Sequence, residues 1–587
     1  MKTTLSALVL GSVLAAGCAS DPGKPKTFST NWNDDGGKSI AAVQARLKDV
    51  RNTTSTNLVV AVASGGQKVI ATPLEGGQPW TFAHALDSRP VVFGNVVILS
   101  GGGEVIALDA SSGKKLWTRP TGGLTLLGAG DDGTLSALAF ARAGGSMLLV
   151  VARDGSVKRQ LETDQSIGTP AVYGGVVFVP WANQYVSALD GTSGEELGRV
   201  VLRDKVSRAV VLGPSLYFGE IAYVRFDDKI GLASRGQANR VAIPSRELPG
   251  TPRLLVPGGE KVPVVANARD RDRLYARPQE ASQPLAVDST RFYASYYRLV
   301  FGFESNKGHL AWVRTHPSDF IGGSSLNGGV ALCDEQGKVT VFDAATGQVA
   351  AEKSLGEPIQ SCVVHADSYR VPKPGQPGPT LGQQITEAVT IREATLATAQ
   401  RLLLRELGTL PEESATKTLI DIASDPRSVP ILVTDARAAL ATRRNGGQFM
   451  LEALGKHYDY LHDVLMSPPV GPIADALAAM GEKRAAPLLA THLLDPADTD
   501  DDVKRAGAAL ATIATDKELP VLKQFFSMYR GTAQSDEVAL AVGSAAEAML
   551  RIDPKSRPTV ESAAADPATV QVAKERLDAL LQATAKQ

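Results

Sequence analysis

The stretch Val105–Trp117, VIALDASSGKKLW, joins an apolar strand ending in Leu108 and Asp109, a small-residue turn at Gly113, and a second short strand closed by Trp117. One such hairpin buries a single face and is marginal by itself. The chain repeats it. VFGFESNKGHLAW, Val300 to Trp312, keeps the length, an acid at Glu304, the turn at Gly308 and the final Trp. VSALDGTSGEELG (Val186 to Gly198) keeps Asp190 and Gly194, VTVFDAATGQVAA (Val339 to Ala351) keeps strand and turn, and VIATPLEGGQPW (Val69 to Trp80) is a shorter first copy. Taken at their last residue of the motif, the copies fall at 80, 117, 198, 312 and 351, which fits one, two, three and one steps of about 39 residues. Four-stranded propeller blades repeat at such a period. The skipped registers, near 158, 236 and 275, hold diverged strands at Met147–Gln160, Ile221–Leu232 and Pro263–Pro278, so the count is eight blades, with seven the alternative.

The best-written unit runs RPVVF (Arg89 to Phe93), VVILSG (Val96 to Gly101), EVIALD (Glu104 to Asp109) and KKLWT (Lys114 to Thr118), four short strands with turn signals between them. Residues 57–367 form this β region. Its ends do not match: LVVAVASG, Leu58 to Gly65, corresponds to a second strand with no first, and IQSCVVHAD, Ile359 to Asp367, to a first strand with no blade of its own. Residues 359–365 therefore supply the inner strand of blade one, which closes the ring and leaves no long edge. Residues 368–384, rich in Pro and Gly, read as a linker.

From Ile385 strand signals stop and helix-sized Ala- and Leu-rich segments recur, with equivalent leucines at Leu440, Leu477 and Leu510. Small alanines on one helix of a pair and larger Leu, Phe and Met on the next make residues 385–555 an α-solenoid of HEAT-like helix pairs, a compact bundle being the alternative, with 556–587 a C-terminal helical tail. The fold class is thus multidomain β plus α, a β-propeller followed by an α-solenoid.

At 587 residues the chain is too long for one core. With 61 basic and 62 acidic residues it gives no electrostatic case for nucleic acid. Residues 1–17 have a basic start at Lys2 and an apolar run from Leu5 to Ala16, the pattern of an export signal. LAAGC, Leu14 to Cys18, resembles the bacterial lipobox, which implies a lipid on Cys18 and anchorage by it. Ala19 and Ser20 lack the aspartate that marks inner-membrane retention, so the expected address is the outer membrane, facing the periplasm. Residues 18–56 are then a lipidated tether and a short helix at Ser39–Leu47. Cys333 and Cys362 remain, either as a disulfide that an oxidising compartment would permit or as two buried thiols.

The LD-x-x-[ST]-G-x-x-x-W signature resembles the pyrroloquinoline-quinone-type β-propeller family, and with the lipobox it is most similar there to the BamB-type lipoproteins of the outer-membrane β-barrel assembly (BAM) machinery. The resemblance implies that Trp80, Trp117 and Trp312 dock between blades, and that the partners are envelope proteins of barrel assembly. Quinone-dependent dehydrogenases share the repeats but usually add adjacent cysteines, calcium ligands and sometimes a haem motif; here no two cysteines adjoin and no CxxCH occurs.

Other chemical motifs fail on spacing. His457 and His462 are five apart, off the i, i+4 geometry of a helical ligand pair, and read as surface or packing histidines. Asp495, Asp498, Asp500, Asp501 and Asp502 lack the central Gly and closing Glu of a calcium loop and read as a cap for a helix beginning near Val503. No catalytic, cofactor-binding or metal-binding residue is assigned. The expectation is a non-enzymatic, lipid-anchored scaffold acting through protein–protein contacts in β-barrel assembly. The alternatives are a sensor or scaffold for other cell-surface machinery and, behind it, a quinone-dependent dehydrogenase.

Overall fold

The runs Leu58–Ala63, Val96–Gly101, Val176–Trp181 and Gly329–Asp334 are buried at every position. A strand covered on both faces loses in–out alternation and reads as a continuous apolar run, which is how these four appear in the sequence. The last strand of a unit is different: Val349–Ser354 has no buried residue. That sheet therefore passes from a dry inner side to a wet outer one, as in a propeller blade.

The computed structural model describes residues 27–30, 40–50, 56–201, 209–212, 215–218, 222–225, 253–255, 261–263, 275–276, 291–304, 309–326, 328–366, 369–457 and 467–585. The chain falls into two units, Met1–Asn52 with Leu116–Asn239, and Thr53–Lys115 with Arg240–Gln587. The export signal, Cys18, Gly308 and His462 lie outside the described residues, as does most of the skipped registers near 236 and 275.

The first unit holds helix α1 (Ile40–Leu47) and two four-stranded antiparallel sheets. One is built from Thr125–Asp131, Leu135–Arg142, Gly145–Ala152 and Val157–Thr163, the other from Ala171–Tyr173, Val176–Trp181, Tyr185–Asp190 and Glu196–Val201. Three further strands, Ala209–Leu212, Ser215–Phe218 and Ala222–Arg225, pair in order.

In the second unit the first sheet has the order Ile359–His365, Leu58–Ala63, Lys68–Pro73, Trp80–Ala83. Leu58 lies opposite His365 and Ala61 opposite Cys362, so segments some 300 residues apart in sequence are direct partners. Three more four-stranded sheets run Val91–Val92 to Lys115–Pro120, Tyr275–Ala276 to Leu310–Thr315 and Phe320–Leu326 to Val349–Ser354. Cys333, in Gly329–Asp334, is bonded to Cys362, in the closing strand, with a Cα–Cα distance of 6.5 Å. The bond joins two neighbouring sheets. Gly322 lets them approach this closely, because a Cβ there would lie 2.4 Å from the Cys362 carbonyl oxygen.

Among the described residues twelve α-helices follow: α2 (Leu381–Val389), α3 (Ala397–Thr409), α4 (Glu413–Ser424), α5 (Pro430–Ala441), α6 (Gly447–Leu454), α7 (Val470–Ala479), α8 (Ala486–His492), α9 (Asp500–Ile513), α10 (Leu519–Tyr529), α11 (Asp536–Ile552), α12 (Arg557–Ala565) and α13 (Gln571–Ala585). They alternate between two layers. Helices α3, α5, α7, α9, α11 and α13 each pack on the next member of that set, and the shorter intervening helices cover them. Small residues set the close spacing in the first layer: a Cβ on Gly507 of α9 would meet Ala541 of α11 at 3.3 Å. The packing runs through α13.

The helical start is earlier than periodicity alone predicts. Thr380 and Gln383 form a capping box, the Thr380 hydroxyl taking the Gln383 N–H while the Gln383 side chain takes the Thr380 N–H, and α2 begins at Leu381, inside the stretch read as linker. Gln384 is buried, accepts the Val313 N–H at 3.0 Å and donates to the Pro379 carbonyl at 2.7 Å. Val313 sits in the outermost strand of its sheet, so α2 covers an edge that would otherwise be open. Behind it, Phe301, Phe303, Leu310 and Val313 share one buried cluster with Ile385, Leu403 and Leu407. The helices are thus continuous with a sheet rather than strung from a free linker.

Loop-closure entropy for the 29-residue separation between Cys333 and Cys362 amounts to about 3.5 kcal/mol. Removing both thiols as C333A/C362A should lower the urea midpoint accordingly in the oxidised protein, and added reductant should bring the parent to the same midpoint. Equal midpoints for parent and variant without reductant would show that the bond fastens nothing.

Candidate functional site

The repeated acid-and-glycine turn has the same construction wherever it is described. Asp109 Oδ1 accepts the N–H groups of Ser111 and Ser112 at 3.1 and 3.0 Å, Asp190 Oδ1 those of Thr192 and Ser193 at 3.0 and 2.8 Å, and Asp343 Oδ1 those of Ala345 and Thr346 at 3.0 and 2.9 Å. This is an Asx turn, and the residue that completes it must take positive φ. Gly113, Gly194 and Gly347 do so at 68°, 72° and 66°.

The Trp of a preceding unit lies on such a turn. Trp80 Nε1 donates to Ala110 O at 2.9 Å and its ring would be 2.6 Å from a Cβ on Gly113; Trp312 Nε1 donates to Ala344 O at 2.8 Å and its ring would be 2.4 Å from a Cβ on Gly347. Trp117 meets Gly155 mainly through its Cβ, 2.8 Å from where a Cβ on Gly155 would stand. Gly194 is covered instead by the aliphatic stem of Arg159, 3.2–3.3 Å from where its Cβ would be, which is what occupies the skipped register near 158. The acids and aromatics that recur are consumed by holding sheets together.

Sequence spacing gives no hint of a second aromatic site in the first unit, because Trp181 is outside the repeat register. Trp181 is 1% exposed, stacks on Tyr185 at 4.3 Å and donates from Nε1 to Ser187 Oγ at 2.9 Å. Ser187 donates to Glu196, whose carboxylate takes both Nε (2.7 Å) and Nη2 (2.9 Å) of Arg199, and that guanidinium lies 4.8 Å over the Trp181 ring. The pair is buried yet fully engaged, the condition under which a buried ion pair persists. Onto it comes the N-terminal segment: Phe28 is buried edge-on to Trp181 at 5.8 Å, and Arg199 Nη1 donates to Ser29 O. Phe28 adopts φ of 63°, a left-handed turn that the packing of its ring must offset.

In the second unit a cavity of about 800 Å³ opens where the first strands of neighbouring sheets meet, at the start of the closing strand. Asp87, Arg89, Glu335, Gln336 and Gln360 line it with Ser and apolar residues. Its described lining holds no His, Cys, Lys or Tyr, and the mixed charges suit recognition of a polar loop.

Among the described sheet residues, Asp131 is the carboxylate whose acidity moves far. Burial pushes it from the ordinary 3.8 up to about 6, opposed by hydrogen bonds from Ser136 and the Gly133 N–H. Asp190 is held low: burial acts upward, but the N–H groups of Ser193 and Thr192 and the Arg46 guanidinium outweigh it.

Among the helices, ion pairs tie successive members of the layer formed by α3, α5, α7, α9, α11 and α13. Arg401 meets Asp435 at 2.6 Å, Arg505 Nε meets Asp475 at 2.8 Å, and Arg576 meets Glu547 at 3.0 Å. Arg443, 2% exposed, donates to the carbonyls of Leu407, Gly408, Leu410 and Glu412 and so caps the end of α3. Arg551 does the same for α9 through Leu510, Ala511 and Ala514. The acidic run is corrected in one respect: α9 begins at Asp500, three residues before Val503, and its cap is Thr499, which accepts the Asp502 N–H. Asp500, Asp501 and Asp502 form the first turn, where their charge faces the positive helix end. Asp502 also accepts the Gly471 N–H at 2.7 Å and pairs with Arg437. His457, read from the sequence as a surface or packing histidine, stacks its ring on His492 at 4.4 Å, and 35 residues separate them, one helical repeat.

A family model described as outer membrane protein assembly factor BamB matches residues 31–168 and 65–277. Together they span residues 31–277, less than half of the chain, taking in α1 and the sheets that follow it. Among curated proteins no match is found. Solved structures similar to this chain include BamB from Moraxella catarrhalis, at 17% identity and a TM-score of 0.25 over 50% of this chain and 82% of that one. AztD from Citrobacter koseri is 12% identical with a TM-score of 0.33, over 53% of this chain and 98% of that one. The quinohemoprotein alcohol dehydrogenase from Comamonas testosteroni is 11% identical with a TM-score of 0.29, over 61% and 84%.

Two outcomes are expected. Gly347→Ala forces a Cβ into Trp312 at a positive-φ site and should cost about 1–3 kcal/mol, while Trp312→Ala should cost about 3–5 kcal/mol, both read from chemical denaturation. For Asp131 the folded group binds its proton more tightly than the unfolded one. Its contribution is fully present below about pH 4 and is lost as pH rises through about 6, at most about 3 kcal/mol. Asp131→Asn should therefore raise the melting temperature at pH 7.5 and leave it nearly unchanged at pH 4.

Proposed function

We propose that this chain is a non-enzymatic scaffold of the bacterial envelope, anchored by lipid on Cys18 to the outer membrane and facing the periplasm, that supports assembly of β-barrel proteins through protein–protein contacts. The observation that carries this reading is the family match to the BamB assembly factor over the repeat region. The sheets are read as eight blades of one propeller and α3–α13 as a solenoid of HEAT-like pairs. The export signal and LAAGC sequence support the anchor. So does the docking of Phe28: ten residues beyond Cys18, an extended chain spans at most about 35 Å, so a seated Phe28 would hold the sheets close to the bilayer. Exposed rim loops and the cavity beside Asp87 and Glu335 offer surfaces for a partner segment.

A second reading, a scaffold or sensor for other cell-surface machinery, is favoured by the helices from Leu381 on, which lie beyond the family match.

In the native host, Cys18→Ser should move the protein from the membrane to the soluble envelope fraction. Affinity capture of the anchored protein after envelope cross-linking should recover components of barrel assembly. Repeated recovery of other envelope proteins without any such component would replace the first reading by the second.

A further inference from the structure

The end of α6, the end of α8 and the loop from α8 to α9 converge on four side chains that neither the repeats nor the scaffold reading uses. His457 Nδ1 is 2.7 Å from Asp495 Oδ2, and one ligand atom from each of His457, His492 and Asp495 lies within 4.8 Å of the others. His492 has a completely buried side chain. Its Nε2 lies 2.9 Å from the Leu454 carbonyl, at the end of α6, and must be the donor there. Its Nδ1 faces Asp498 Oδ2 at 2.7 Å.

That arrangement is the one that prepares a histidine to bind metal. An N–H given to a backbone carbonyl fixes the ring's orientation and assigns the opposite nitrogen to the ion. The Asp498 carboxylate supplies the independent observation. It too is completely buried, and while Oδ2 meets His492, its Oδ1 has no hydrogen-bond partner among the described residues. A buried carboxylate oxygen left without a donor is costly, and a cation would satisfy it.

We propose that His457, His492, Asp495 and Asp498 form a structural site for one Zn²⁺ ion between α6, α8 and α9. Two imidazoles and two carboxylates are a nitrogen–oxygen set suited to tetrahedral zinc. Donors around zinc stand about 3.3 Å apart, so the donors of His457, His492 and Asp495, now within 4.8 Å of one another, draw together on binding, Asp498 swings its carboxylate onto the ion from its place beside His492, and the ion takes the place of the proton on His492 Nδ1. His492 keeps its bond to Leu454 and becomes the fixed ligand, while His457, partly exposed, closes the site. The ion would clamp the shorter helices of two successive pairs, which touch each other far less than the long helices do.

The test uses the full mature protein, stripped with chelator and dialysed against Zn²⁺. One zinc per chain should be retained, and cobalt in its place should give the visible absorption of a tetrahedral ion. His457→Ala and Asp495→Asn should each weaken zinc affinity at least tenfold. Both change a partly exposed side chain, so circular dichroism and melting in chelator should match the parent. His84→Ala, remote in sequence and just past the strand Trp80–Ala83, should leave zinc binding unchanged. Failure to retain zinc, or equal retention by His457→Ala and Asp495→Asn, overturns the site.

Discussion

Leu58–Ala63 is a strand with every residue buried, and half of its hydrogen bonds have to come from residues 359–365. Buried backbone groups must be paired, and no closer segment provides the partners. The pairing fixes more than one sheet. It brings Cys362 beside Cys333, seats the start of the closing strand at the mouth of the cavity, and returns the chain to the sheets some 16 residues before α2 begins. From there Gln384 can reach Val313, and the helical core grows directly from the buried face of a sheet.

Within the sheets, one motif carries out both local and long-range work. The aspartate satisfies the turn's N–H groups, the glycine supplies positive φ, and the missing Cβ leaves a flat surface for an indole from the preceding unit. Substitution of Arg159 for the aromatic at Gly194 shows that the slot requires an extended apolar stem more than a ring. A motif so fully occupied in packing has little left for chemistry. Contacts with other molecules fall instead to the rims, the cavity lining and the outer surfaces of the helices.

Much of the β architecture was legible because strands buried on both faces write themselves as apolar runs and because Asx turns demand Asp and Gly at fixed offsets. The unmatched segments at Leu58 and Ile359 are the trace in sequence of one shared sheet. What escaped was whatever depends on contacts without a period. The Thr380–Gln383 capping box was hidden in a Pro- and Gly-rich stretch, so four residues of α2 were counted as linker. Trp181, Glu196 and Arg199 form a buried network that no repeat register marks. Arg443 looks like an ordinary surface charge until the frayed end of α3 is placed beside it. His457 was compared with His462, its neighbour in sequence, although the ring it meets is His492, one repeat away.

The closing strand also imposes an order of events. Chains are made from the N-terminus, and Leu58–Ala63 emerges with one edge satisfied by Lys68–Pro73 and the other bare. Its permanent neighbour arrives only after nearly 300 further residues, the greatest separation that any sheet here has to bridge. Contacts of that kind form slowly, and an apolar edge left waiting is a template for the wrong strand. The first sheet to be made is thus the last to be finished, and the chain depends on protection of that edge for the whole interval between the two.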